Sequence, residues 1–221
     1  MASSPPRHLT PRKRPRQVRA ALTLDAIFEA TIQVLLNEGL HRLTTTRVAE
    51  RAGVSVGTMY QYFPHKQALL YSLNEHFLNI VASTVERTCE ALHGASTAEM
   101  IEALVPAYWN AKTERSDVTR AIYISSVDLD NDYLIESFTQ RVDTATLSMF
   151  TSASDATYLN VAVVNRTLLT VIFGTVRNLF ERKLPALLEA DIRMQLVSMC
   201  LSYLETVRGG GGARPALQSW S

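Results

Sequence analysis

Ile27, Thr31, Val34 and Leu35 recur at helical spacing, with Phe28 and Ile32 beside them, and predict a helix over about 22–38 with a broad apolar stripe. Asn37-Glu38-Gly39 closes it as a C-terminal glycine stop. Val48, Ala49 and Ala52 then give a much shorter helix one narrow apolar side, and Thr44 before it is a good N-cap. Gly53 stands where a chain leaving a helix needs positive φ, Val54 can plug the corner, and Ser55 is a second N-cap. Two short helices joined by so tight a turn make a helix-turn-helix.

The second of these helices has an unusual face. Met59 and Phe63 point inward, which leaves Val56, Gly57, Thr58, Tyr60, Gln61 and Tyr62 near or on the outside. A small Gly57, two hydrogen-bonding side chains in Thr58 and Gln61, and tyrosine hydroxyls in reach of phosphates suit a helix laid against DNA. An ordinary αα-corner with exposed aromatics has the same spacing. From Lys66 a long helix runs toward about residue 92, burying Leu69, Leu70, Leu73, Phe77, Ile80, Val81 and Val85. Its far end is expected to carry motion to the recognition helix, and Lys66 in its first turn is placed to meet a phosphate.

Thr44-Thr45, Val48-Ala49, Ala52-Gly53-Val54-Ser55, Gly57-Thr58, Tyr60, Tyr62-Phe63, Lys66 and Leu69-Leu70 together resemble the DNA-binding domain of the tetracycline-repressor (TetR) family of bacterial transcription regulators. The resemblance covers roughly residues 20–75, about a quarter of the chain, without a gap. It implies that Thr45 and Lys66 hold phosphates at helix N-termini, that Tyr60 and Tyr62 add phosphate hydrogen bonds, and that Thr46, Val56, Gly57, Thr58 and Gln61 face base edges. Two positions depart from the pattern. Where many members carry a basic residue that reads guanine, Thr46 cannot form the bidentate contact, whereas Gln61 favours adenine. Where the family usually has Ser, Asn or Asp before the lysine, this chain has His65, a poorer cap.

The remainder reads as helix after helix, over about 97–114, 117–128, 130–151, 156–182 and 185–207, with breaks near His93-Gly94, Arg115-Ser116-Asp117, Asp128-Leu129-Asp130, Thr151-Ser152-Ala153-Ser154 and Leu184-Pro185. Val161, Val164, Leu168, Ile172, Thr175 and Leu179 stripe the penultimate helix, and Ile192, Leu196, Met199 and Tyr203 the last. Further apolar residues lie on their other sides, so cover is needed on more than one side, from a second copy or from a monomer core. The resemblance implies a four-helix homodimer interface through residues 156–207, as a palindromic operator on double-stranded DNA requires.

Composition narrows the functional classes. A chain of 221 residues, 47% hydrophobic and 19% charged, is that of a soluble globular protein. Its net +1 hides an asymmetry: residues 1–66 hold ten Lys/Arg against four Asp/Glu, and residues 67–221 twelve against seventeen. A basic front suits a polyanion, although Arg7, Arg12, Lys13, Arg14, Arg16 and Arg19, in an arm over 1–20, account for much of the surplus. That arm either reaches a groove or only solubilises. Cys89 and Cys200 lack metal-ligand spacing and read as reduced core residues. No signal peptide and no run of roughly 18 uninterrupted apolar residues is present, so a cytoplasmic, bacterial location without a membrane partner is expected.

Catalytic motifs, metal clusters and cofactor fingerprints are absent from the sequence, and the run Asp128, Asp130, Asp132 lacks the glycine and distal glutamate of a calcium loop. The expectation is an all-α chain: a flexible arm over 1–20, a three-helix helix-turn-helix domain over 21–67, a helical effector-binding and dimerisation domain over 68–207, and a glycine-rich tail over 208–221. A small apolar or aromatic effector is expected in that second domain. Tyr108, Trp109, Tyr123, Tyr133, Phe138, Phe150 and Phe173 are available to line its site, with Arg120, Asn165 and Arg177 as polar anchors. The function expected is a repressor released from its operator by that effector. The rivals are a small-molecule-binding protein or enzyme with a vestigial helix-turn-helix, and an activator without an effector.

Overall fold

A computed structural model describes residues 18–126, 129–182 and 186–209. Arg7, Arg12, Lys13, Arg14 and Arg16 of the basic arm, Asp128, the Leu184-Pro185 break and the tail from residue 210 onward lie outside the described residues. The described residues are helical and contain no strand. In order they form α1 (Val18–Glu38), a 3-10 turn (Leu40–Arg42), α2 (Thr45–Ala52), α3 (Val56–Tyr62), α4 (Lys66–Ala91), α5 (Thr97–Thr113), α6 (Ser116–Ser125), α7 (Asp132–Thr151), α8 (Val161–Arg182) and α9 (Ala186–Val207). The chain divides into two compact units, one of residues 1–83 with 110–141, the other of residues 84–109 with 142–221.

The first unit is built on the stripe of α1. Ile27, Phe28, Ile32, Val34 and Leu35 are buried, as are Val48 and Ala49 of α2, Met59 of α3, Phe63, and Leu69, Leu70 and Leu73 of α4. Thr31, inside the same stripe, is buried because its hydroxyl donates to the Ile27 carbonyl at 2.7 Å. By length and mean apolarity α1 from Ala20 to Glu38 is fit to cross a membrane. Glu29 and Gln33 lie on its exposed side, however, and its apolar side is covered within the unit, which is the pattern of a core helix. α6 packs against α1, and Arg115, just before α6, forks to Glu29 at 2.9 and 3.0 Å and to Asp117 at 2.9 Å.

In the second unit α8 buries Val164, Leu168, Leu169, Ile172, Val176 and Leu179, and α9 buries Leu196, Cys200 and Leu204. α5 begins with a capping box: Ser96 Oγ accepts from Glu99 N at 3.3 Å while Glu99 Oε2 accepts from Ser96 N at 2.9 Å. α8 starts at Val161, not near residue 156 as the apolar spacing suggested. The intervening residues are otherwise engaged: Asp155 accepts from Thr97 N at 2.8 Å, Ser154 N donates to Ala95 O at 3.0 Å, and Asn160 Oδ1 accepts from Val163 N at 3.2 Å.

Candidate nucleic-acid interface

The turn between α2 and α3 has the geometry its residues call for. Thr44 Oγ1 accepts from Arg47 N at 3.2 Å, and Ser55 Oγ accepts from Thr58 N at 3.0 Å, so each helix is capped by the expected hydroxyl. Gly53 sits at φ 68°, ψ 26°, in the left-handed region. Gly53 N donates to Glu50 O at 3.2 Å and Val54 N to Ala49 O at 3.0 Å, the crossed pair of a Schellman ending. α2 is held to α1 by ion pairs from Arg47 and Arg51 to Glu38, the latter at 3.8 Å.

On α3 the inward positions are Met59 and Tyr62, with Phe63 just beyond; Val56, Gly57, Tyr60 and Gln61 face out, and Tyr60 is 45% exposed. Tyr62 corrects the expectation of an outward tyrosine. It is only 7% exposed, its ring 6.2 Å from that of Phe63, because a seven-residue helix carrying Met59 and Phe63 on its inner side turns the intervening position inward too. Thr45 is a second correction, since its side chain is 7% exposed. At the first position of α2, what it has left to offer a phosphate is its backbone N–H. Thr46 beside it is exposed, and the Thr58 hydroxyl is engaged by Ser55 Oγ at 2.8 Å.

His65 proves a working cap. Its Nδ1 accepts from Ala68 N at 3.2 Å, the bond that Ser, Asn or Asp would make at this place, and Lys66 follows half-exposed in the first turn of α4. Gly57 has an ordinary helical backbone, and a Cβ built there would meet nothing nearer than Ser55 Oγ at 3.8 Å. The fold itself does not require glycine at this point.

The ten residues expected around an effector do not gather in one unit. Arg120, Tyr123, Tyr133 and Phe138 belong to the first, and Tyr108, Trp109, Phe150, Asn165, Phe173 and Arg177 to the second. Tyr108 and Phe173 stack at 4.3 Å between ring centroids. Asn165 is buried, its Nδ2 donating to Asp143 Oδ1 at 2.8 Å while its own Oδ1 has no partner. Arg120 and Arg177 are exposed. A groove of about 470 Å³ in the second unit, lined by His93, Asp143, Leu147 and Ser148 among others, contains none of the ten. The Cys89 thiol is pushed up to about 12 and that of Cys200 to about 11, each first by burial, which leaves both as inert core residues.

One residue of this body escaped the sequence reading. Lys112, in the last turn of α5, is 6% exposed, and among the described residues no carboxylate lies within ion-pair distance of its ammonium. The ammonium stands 4.7 Å from the centroid of the Phe77 ring, and burial lowers its pKa to about 8. A cation–π contact contributes about 2 kcal/mol when desolvated and a helix C-terminus about 0.3–1 kcal/mol. Neither matches the several kcal/mol that an unpaired buried ion costs.

The described residues thus place a helix-turn-helix on an all-helical body. Residues 27–73 match the family model described as bacterial regulatory proteins, tetR family. The fatty acid metabolism regulator protein of Bacillus subtilis is 34% identical over 79 residues, 36% of this chain and 39% of that regulator, so the chain matches less than half the length of such relatives. A TetR family transcription regulator from Marinobacter aquaeolei superimposes with a TM-score of 0.65 at 16% identity, over 84% of this chain and 96% of the other. Thermus thermophilus FadR, a TetR family repressor in complex with lauroyl-CoA, does so with a TM-score of 0.52 at 17% identity, over 89% and 100%. The first domain thus matches the tetR family model, and the fold of the chain is shared with solved TetR family regulators.

Proposed function

We propose that the chain is a homodimeric transcription regulator that grips a palindromic operator with α3 and releases it on binding a small apolar or aromatic effector. The observation that carries this reading is the division of α3: a buried side fixed by Met59, Tyr62 and Phe63, and an outer side of Val56, Gly57, Tyr60 and Gln61 that the fold leaves unused. In this reading residues 21–67 bind DNA. Thr46, Val56, Gly57 and Gln61 face bases, with Thr58 steadied by Ser55, while Tyr60, Lys66 and the Thr45 N–H hold phosphates. Residues 68–207 take the effector and the second copy, and two recognition helices stand about 34–36 Å apart in successive major grooves.

The packing of α6 on α1, with the Arg115 fork to Glu29, supports a route from effector to recognition helix. A coupling of about 1–3 kcal/mol is enough to change occupancy about 5- to 150-fold. The complex of the Thermus regulator with lauroyl-CoA supports an effector reading for this body as well.

Titration of DNA from beside the chain's own gene by fluorescence anisotropy tests the roles. Tyr60→Ala and Lys66→Ala are expected to weaken binding on all sequences alike, Lys66→Ala lowering the salt slope by about 1. Gln61→Ala is expected to relax base choice at one position by about 1–3 kcal/mol. Equal loss of discrimination from all three changes would refute these assignments.

A further inference from the structure

We propose that the effector is an organic carboxylate with an apolar body, seated in the first unit with its acid group on the ammonium of Lys112. This rests on the reading of the chain as an effector-controlled regulator and supplies the chemistry of the effector. Lys112, Phe77 and Thr119 belong to one unit, and none of them is among the ten residues named from the sequence.

In the same unit, Asn74, Ser125 and Thr119 have hydrogen-bond partners, whereas the Tyr71 and Ser72 hydroxyls on α4 have none among the described residues. Asn74, one turn before Phe77 on the same side of α4, accepts from Ser125 Oγ at 2.9 Å and donates to Asn131 Oδ1 at 3.4 Å. Thr119 of α6 donates to the Lys112 carbonyl at 2.7 Å, which fixes the backbone from which the lysine projects. Among the described residues the Lys112 ammonium has an aromatic face against it and no carboxylate within ion-pair distance. The C-terminal turn of α5 explains why a cation is tolerated at this position. It does not explain why that cation is buried; a lysine with a four-carbon stem ordinarily carries its charge to water.

What completes such a site is a single negative charge on an apolar molecule. Arg115, the nearest arginine in sequence, is engaged by Glu29 and Asp117. One ammonium matches one carboxylate. Phe77 supplies an apolar wall, and α6 buries Val118, Ala121 and Ile122 in the same unit. Lys112 also stands three residues before the arginine that reaches α1, so an anion bound there bears on the element that roofs the helix-turn-helix.

The test titrates the full chain with paired probes of the same body: decanoate against 1-decanol, and 2-naphthoate against 2-naphthalenemethanol, followed by thermal shift and calorimetry. Carboxylates are expected to bind and raise the melting midpoint, the alcohols to bind at least tenfold more weakly, and Lys112→Met to lose the preference while remaining folded and binding operator. Lys112→Arg, which keeps the charge, is expected to retain it. The proposal is overturned if no carboxylate binds, if acids and alcohols bind alike, if Lys112→Met prefers the acids as wild type does, or if decyl phosphate binds tighter than decanoate. Because the acid–alcohol comparison uses wild type, it stands even where a variant fails to fold. Carboxylate binding without any operator binding would instead sink the regulator reading and leave this site intact.

Discussion

At the scale of single residues the sharpest signal is a missing side chain. A helical glycine costs about 0.5–1 kcal/mol relative to alanine, and at Gly57 the fold does not need that cost, because a Cβ there meets Ser55 Oγ at an unstrained 3.8 Å. In the proposed reading, DNA approaches the backbone here. Gly57→Ala is therefore expected to raise stability by about 0.5–1 kcal/mol in urea unfolding while lowering operator affinity in anisotropy titrations. A variant that gains stability and binds DNA as before would show that α3 does not lie close against its partner. Residue identity alone ranked some side chains well and others badly. Tyr62 was expected near or on the outside because Met59 and Phe63 took the inner side, yet its place between them decided its burial. Lys112 was legible in principle: Ile101, Val105 and Tyr108 mark an apolar stripe whose next turn is 112, and a lysine inside such a stripe is a buried charge waiting for a partner.

At the scale of elements, local rules carried most of the fold. The caps at Thr44 and Ser55, the left-handed Gly53 and the end of α1 at Gly39, with φ 81°, all stand where side-chain chemistry put them. What periodicity does not contain is competition from residues far along the chain. α8 begins at Val161 because Asp155 is drawn to Thr97, 58 positions away, and the Ser96–Glu99 box shows how closely the start of α5 is specified. His65 shows the converse, an unfavoured residue type meeting the requirement through a ring nitrogen. The turn of the helix-turn-helix yields a prediction at this scale. A Cβ at Gly53 meets no atom within 4 Å, so Gly53→Ala carries only the conformational cost of the left-handed region, about 1–2 kcal/mol. Ser55→Ala removes the bonds to Thr58 N and Thr58 Oγ1 and is expected to cost about 1 kcal/mol. Hydrogen exchange should show faster opening of α3 in both variants, with α8 amides unchanged. Protection of α3 equal to wild type would mean that the caps do not hold the recognition helix in place.

At the scale of the whole molecule, the question is what covers α8 and α9. α8 turns Val164, Leu168, Ile172 and Leu179 inward and leaves Val163, Thr167, Thr170 and Gly174 along another side, at intervals of four, three and four. That is the spacing of a helix seam, and its small residues permit close crossing. Among the described residues of α9, Leu196, Cys200 and Leu204 are buried within its unit, while Leu188, Met194 and Met199 are exposed. Exposed apolar residues on two neighbouring helices suit an association surface, and in the proposed dimer a second copy presenting the same surface would close it with two-fold symmetry. Gly174 separates this idea from a simple surface, because a Cβ there meets nothing within 4 Å inside the chain. Gly174→Arg should therefore leave the monomer fold intact and raise helix stability by about 0.8–1 kcal/mol, yet drive a large charged side chain into the seam. Sedimentation is expected to report a dimer for wild type and a monomer for Gly174→Arg, and the variant should lose cooperative binding to a two-half-site operator while retaining weak binding to a single half-site. A variant that still sediments as a dimer would place the contact between copies elsewhere on the molecule.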